Sequence, residues 1–403
     1  MSSLNEKNKL NLFTLSGLII GPILGSGVIL LPPLLYDLTN TYSLLIWILI
    51  SIFGFSFALI FGKLAILHPG DGGVSLATKE AMGKKYQLLT SFYLIFAVFF
   101  GPIAVLLTAA IFLQEYFTSY SLASIAFVLY VITYILLTLK LDFLAKLMLI
   151  VTSLATVIFL VSSLNILFSA EKFVFTLPTF VLKDIGYSFL LVFWSIVGWE
   201  VIGNYSSNVK DSKTLTYSVI LSALIVSFVY ILLASAICFG NFPKEQAFKL
   251  VWIIQPVFGE YSSILLTILT ILLCIGTIIL FIGGVARLIS SLQLTSFTSK
   301  HLSTGSPIGA LNFLALIHSI TLSAVYFGFI DTATLIAFAD GFFIANALIG
   351  LVTAIILFED GILKNSAYIL CVLFFSILLF SNIYILSIIL ILFIYTYTKK
   401  GSI

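Results

Sequence analysis

The sequence predicts an all-α membrane protein of about twelve transmembrane helices: a five-plus-five inverted repeat with discontinuous first and sixth helices, then two further helices. Three observations predict it. Hydrophobic residues make up 61% of the 403 and charged residues only 9%, where a soluble domain carries roughly 25% charged. Mean hydropathy is +1.22, and apolar runs repeatedly reach the ~20 residues needed to cross a bilayer. Finally, two runs interrupt themselves mid-span, at Ile23-Leu24-Gly25-Ser26-Gly27-Val28 and at Phe193-Trp194-Ser195-Ile196-Val197-Gly198-Trp199-Glu200. An unpaired backbone group in hydrocarbon costs several kcal/mol, so a helix breaks there only where protein or a wet cavity supplies partners. Two such breaks in corresponding positions of two halves point to the binding site of a solute carrier.

The elements follow in order. The first span, 12–36, contains Pro22, the Gly25-Ser26-Gly27 break and Pro32-Pro33, which together exclude a regular helix. After the second, 42–66, the turn Gly70-Asp71-Gly72-Gly73 leads into Ser75–Lys85, whose Ala, Leu and Lys spacing predicts a short in-plane helix. Phe99-Phe100-Gly101-Pro102 is expected to kink the third span, 87–114, and the fourth and fifth follow at 121–139 and 147–168. The sixth, 185–205, carries the second break. The seventh to tenth lie at 214–239, 261–290, 310–328 and 332–357, and the extra pair at 366–380 and 382–398. Residues 12–168 and 185–357 are thus read as two repeats, 366–398 as an appendix. Five spans per repeat necessarily insert the second repeat upside down.

With both termini inside, the outward connections carry only Lys172, Lys183, Lys244 and Lys249 of the nineteen Lys and Arg, as the positive-inside rule requires. Met1–Lys9 followed by an apolar run resembles a signal peptide, but no small-residue cleavage site follows, so it reads as a retained first span. Cys238, Cys274 and Cys371 all fall in apolar segments, which argues against a disulfide framework. Catalysis and metal binding find no support. His68, His301 and His318 show no HExxH spacing, no P-loop is present, and basic clusters are too small for nucleic acid. No cofactor or metal is expected; the expected partners are a small-molecule substrate, protons and the bilayer, with the protein a monomer or homodimer.

The breaks carry the chemistry. Gly25 and Gly27 allow a ligand to approach the backbone, and unwinding frees N–H groups at the start of the outer half-helix, where an anion is favoured. An amino-acid carboxylate fits, with Ile23 alongside and the Ser26 hydroxyl as a further donor; the structural alternative is a small-residue packing face. In the sixth span, carbonyls freed near Phe193–Val197, around Ser195 and Gly198, can accept from a substrate ammonium. Trp194 or Trp199 can gate or stack over the bound molecule, or simply anchor at an interface. Glu200 and Asp340 are the acids read as deep in the membrane. An ionised carboxylate there costs about 2.5–3.5 kcal/mol, so each is read either as a proton-coupling group or as a neutral acid capping freed backbone. Phe100 can line an apolar side-chain pocket. Gly276, Gly283-Gly284, His318, Lys146 and Arg287 read as packing or anchoring residues, and Thr277 with Cys274 gives sodium weak support.

At these residues the chain resembles the amino acid–polyamine–organocation (APC) superfamily, and within it the bacterial methionine/branched-chain amino-acid exporter branch. Gly25-Ser26-Gly27-Val28 with Pro32 is similar to the first-span signature, and His68-Pro69 with Gly72-Gly73 to the first cytoplasmic loop. Phe193-Trp194, Gly198-Trp199-Glu200 and Val209-Lys210 resemble the sixth-span signature; Ala286-Arg287-Leu288 and Phe338-Ala339-Asp340-Gly341 resemble the ends of spans eight and ten. The resemblance implies a LeuT-like fold, substrate held between spans one, three, six, eight and ten, and proton coupling. Ser26 with its glycines would hold the carboxylate, Trp194 would gate and Glu200 would be the sixth-span acid. Asp211-Ser212 departs from the Asn-Pro common after span six, and Asp340 stands where an uncharged polar residue is expected. The expected function is secondary transport of neutral, hydrophobic L-amino acids across the cytoplasmic membrane, as proton-coupled export. A sodium-coupled or exchange carrier for other solutes, or a transporter-like sensor or channel, is the alternative.

Overall fold

The computed structural model describes residues 9–170, 181–242 and 249–398. Lys172, Lys244 and the leader-like start before Lys9 lie outside the described residues. The secondary structure of the described residues is helical: α1 Leu12–Leu24, α2 Gly27–Thr39, α3 Tyr42–Leu67, α4 Val74–Met82, α5 Lys84–Gln114, α6 Leu122–Leu137, α7 Leu141–Ser169, α8 Leu182–Phe193, α9 Trp199–Ile202, α10 Ser212–Phe239, α11 Val251–Phe258, α12 Ser262–Ser291, α13 Ile308–Tyr326, α14 Thr332–Leu357, α15 Ile362–Leu378 and α16 Ile383–Thr398. Among the described residues nine helical stretches are long and apolar enough to cross a bilayer, and α6, α15 and α16 are shorter apolar helices. An apolar helix stands at each of the twelve positions read as spans, nine of them of membrane-crossing length, the first made of α1 and α2 and the sixth of α8 and α9.

Local chemistry sets the ends. Asn11 and Thr14 form a reciprocal capping box at the start of α1. Asp211 accepts from the Thr214 N–H at 2.7 Å and starts α10, so the departure from Asn-Pro is a different N-cap. Asp331 does the same for α14 through Thr334. The helix read at Ser75–Lys85 is α4, ended by Gly83, and Thr78 ties it to Thr353 of α14 at 3.0 Å. Pro102 does not break α5, which continues to Gln114.

Packing is carried by α5 against α14 and α12, α3 against α10, and α1 against α7, α10 and α12. The two halves of the first span differ. Its N-terminal half α1 is wedged among α7, α10 and α12, whereas α2 packs on α8, α10 and α3. The outer faces are greasy: Ile150, Leu154, Val157 and Val161 of α7 are all exposed at three- and four-residue spacing, a stripe that water would not tolerate at this length and a bilayer would cover.

Candidate functional site

The first break is enforced by Gly25, at φ 39° and ψ −139°, a conformation side chains rarely adopt. A Cβ there would lie 2.2 Å from Thr277 Oγ1 and 2.6 Å from the Pro22 carbonyl oxygen. The carbonyls freed by the break are already served by side chains. Thr277 Oγ1 donates to Pro22 O at 3.1 Å, and the Tyr230 hydroxyl reaches Ile23 O and Leu24 O at 3.4 and 3.3 Å. Tyr230 is itself held by stacking on Trp47, 4.4 Å between centroids. The donors are different. Helix α2 begins with Ile29 and Leu30 both bonding Ser26 O, and the N–H groups of Ser26, Gly27 and Val28 have no partner among the described residues. These three amides stand at the head of α2, the place where the sequence reading expects an anion.

The second break lies between a 3-10 turn, Trp194–Ile196, and α9, with Val197 extended and Gly198 at φ 122°. Ile23 and Phe281 pack where a Gly198 Cβ would stand, so the two breaks meet. Trp194 Nε1 donates to Ser26 Oγ at 3.2 Å, joining them directly. Beyond that bond the indole lies over Gly101 of α5 and makes an edge contact with Phe343 of α14, 6.3 Å between centroids. Phe100 and Phe338 face each other at 5.2 Å, and Phe281 meets Phe343 at 5.2 Å. Trp194, Phe100 and Phe338 are half-buried, while Ile23, Phe281 and Phe343 below them are buried.

Glu200 folds back on the break: its Oε2 accepts the Gly198 N–H at 3.0 Å, and its Oε1 is buried with no partner. It therefore caps freed backbone, the more conservative of its two expected roles, with one oxygen left over. Asp340 Oδ1 is likewise buried without a partner. It sits one residue, about 100° of helix, beyond Ala339, which packs against Gly101. Neither acid has an ion-pair partner among the described residues.

The structure brings Ile23, Gly25, Ser26, Gly27, Phe100, Trp194 and Gly198 to one place. It does not bring Ser195 and Trp199 there. The Ser195 hydroxyl donates to Val192 O at 2.6 Å, and both side chains line a narrow gap toward α3 and α10 beside Trp47 and Tyr230. The reason is the turn of the break, which sends Trp194 toward α5 and α14 and its neighbours the other way. Sequence reasoning missed Tyr230, Phe281 and Phe343; Tyr230 alone gave a signal, as a hydroxyl deep in an apolar span. Arg287 lies over the Tyr205 ring at 5.3 Å, Lys146 pairs with Asp142 at 2.6 Å, and Gly284 admits Val201 and Tyr205. Among the described residues no group of His, Cys, Asp and Glu is arranged to hold a metal.

At the end of the molecule that holds Leu10, a set of hydrogen bonds ties the start of the first span, the α3–α4 turn and the end of the sixth span together as a seal. Leu10 N–H bonds Asn208 O at 2.9 Å and Lys210 N–H bonds Leu10 O at 3.2 Å. Asn204 Nδ2 reaches Asp71 O and Gly284 O, each at 3.2 Å, Gly70 N–H reaches Ser206 Oγ at 2.8 Å, and the Ser207 hydroxyl bonds the Asp71 carboxylate.

An uncharacterized amino acid permease, YecA, of Bacillus subtilis (strain 168) is 24% identical over 363 residues, 84% of this chain and 83% of that protein. The amino acid permease profile matches residues 10–401. A protein of apolar, membrane-length helices whose first and sixth spans break beside one another, and whose sequence fits that profile almost end to end, belongs to the amino acid permease family of the APC superfamily.

Proposed function

We propose that the protein carries neutral, hydrophobic L-amino acids of the leucine, isoleucine, valine and methionine type across the cytoplasmic membrane by alternating access. The observation that carries the reading is the unspent N–H trio of Ser26, Gly27 and Val28, facing a second break and bridged to it by Trp194. The substrate carboxylate sits on those amides, and its ammonium on carbonyls of the Phe193–Val197 stretch, to which no donor from another element is bonded among the described residues. Phe100, Phe338, Phe343 and Phe281 supply an apolar wall for the side chain.

Residues 12–168 and 185–357 are two inverted repeats on this reading. Packing supports it: spans two and seven (α3, α10), three and eight (α5, α12) and four and nine (α6, α13) each pack on their own counterpart, an arrangement that a pseudo-two-fold axis between them would give. Both chain ends face the cytoplasm. Glu200 and Asp340, each with an idle buried oxygen, take and release the coupling proton, which drives export. The Thr277 hydroxyl donates to Pro22 O and Leu273 O, which leaves little of the oxygen set that a sodium ion would need.

Purified protein is titrated with a panel of L-amino acids, then reconstituted for uptake with and without an imposed pH gradient. Leucine and methionine are expected to bind, to show saturable counterflow, and to respond to the gradient. Binding of a polyamine or nucleobase in their place refutes the substrate class; conduction without counterflow refutes a carrier.

A further inference from the structure

Pro102 leaves one main-chain acceptor of α5 without its helical donor. In an α-helix the carbonyl of residue i takes the N–H of residue i+4, and proline has none, so nothing at position 102 can serve Val98 O. That carbonyl is met from another helix: His318 Nε2 of α13 lies 2.7 Å from it. The other ring nitrogen, Nδ1, is 3.1 Å from the Tyr130 hydroxyl of α6. Because a carbonyl only accepts, Nε2 carries the hydrogen and Nδ1 accepts from Tyr130. His318 and Val98 are fully buried and Tyr130 nearly so, so no water competes. The residues that follow Val98 on α5 form the cleft wall. Phe99 packs edge-on against Phe313 of α13, Phe100 faces Phe338, and Gly101 lies under Trp194.

We propose that His318 is a positioning residue for substrate binding: its Nε2–H stands in for the hydrogen bond that Pro102 removes, and so fixes the Phe100–Gly101 turn against Trp194. The imidazole touches no substrate; it acts through Val98. This rests on the amino-acid reading of the cleft, but the His318–Pro102 coupling does not.

The test is a cycle of wild type, His318→Leu, Pro102→Ala and the double variant, with His318→Gln and His318→Asn. Each is read twice, by melting temperature without ligand and by L-leucine binding. Gln places an amide N–H near the position of Nε2, whereas Asn ends near Nδ1. His318→Leu is expected to lower the melting temperature and weaken leucine binding about tenfold, the loss from an unmet buried carbonyl. In the Pro102→Ala background, where residue 102 again offers an N–H, the same change is expected to cost under about threefold. His318→Gln is expected to stay within about threefold of wild type, and His318→Asn to behave like Leu. Equal penalties in both backgrounds, or Gln as impaired as Leu, overturn the proposal. If His318→Leu yields no folded protein, Gln against Asn decides. If wild type binds no leucine, the substrate reading fails while the melting-temperature cycle still decides the coupling.

Discussion

Replacing Gly25 by Ala separates a break that is merely tolerated from one on which binding depends. The added methyl meets two penalties. Backbone at φ 39° and ψ −139° is disfavoured for an L-residue by about 1–3 kcal/mol. The new Cβ would also lie 2.2 Å from Thr277 Oγ1 and 2.6 Å from Pro22 O; one is a short, stiff side chain and the other main chain, so neither swings clear. Overpacking of this kind costs about 1–3 kcal/mol. The sum, about 2–6 kcal/mol, is met by shifting α1 against α2, which misplaces the Ser26–Val28 amides. If only the lower bound appears in binding, leucine affinity falls about 30-fold. Thr277→Ala removes the nearer clash but not the Pro22 contact or the strain, so the double variant is expected to recover part of the loss. The assay is leucine titration in detergent beside melting temperature. Affinity within threefold of wild type in Gly25→Ala refutes the argument, because binding at the Ser26–Val28 amides would then not depend on this backbone.

Other perturbations test its supports. Tyr230→Phe keeps the stack on Trp47 but strips the donor from Ile23 O and Leu24 O; at 3.3–3.4 Å these bonds are long, so about 1 kcal/mol, near fivefold in leucine affinity, is expected, and no change would place the cap elsewhere. Glu200→Gln can still accept the Gly198 N–H but cannot release a proton, so binding is expected to survive and the pH dependence of uptake to flatten; an unchanged pH profile removes Glu200 from coupling. Asp211 is held below the usual carboxylate range by the Thr214 N–H and hydroxyl. A lowered folded-state value means its stabilisation is present above the ordinary carboxylate range and is lost as pH falls through the folded value, so the melting-temperature deficit of Asp211→Ala is expected at pH 7 and should vanish at strongly acid pH; a deficit that persists there argues against a charged cap.

What the sequence disclosed and what it hid divide along a physical line. The spans were legible because hydrocarbon enforces length and composition on each segment by itself. The breaks were legible because proline and glycine act locally, and Gly25 and Gly198 do stand at positive φ. Direction was not legible. Whether Trp194 or Trp199 reaches the cleft depends on how the 3-10 turn rotates successive side chains, and that is set by contacts with α3, α5 and α14 far away in sequence. Tyr230 escaped for the same reason: its partners, Ile23 and Leu24, lie more than two hundred residues earlier. His318 was read as a structural residue from its isolation, but only the contact with Val98 connects it to Pro102.

The two halves of the first span also pack differently. Helix α1 is clasped by α7 and α12, whereas α2 and α8 pack on each other and on α3 without comparable packing on α5, α12 or α14. Around the breaks, Trp194, Phe100 and Phe338 keep part of their surface accessible. Opening the end that holds Leu10 requires the seal at Leu10, Asp71 and Asn204–Lys210 to part. Apart from the Ser207 bond to the Asp71 carboxylate, its bonds join neutral polar side chains and main chain, each worth roughly 0.5–1.5 kcal/mol net once water replaces the lost partner. A set of that size amounts to several kcal/mol. Swinging a two-state equilibrium from 1:99 to 99:1 takes about 5.5 kcal/mol. On the alternating-access reading proposed above, a set of bonds of that size at Ser206, Ser207 and Asn204 would hold the empty protein in one state and still yield to differential binding, where a seal of buried ion pairs would be harder to reverse.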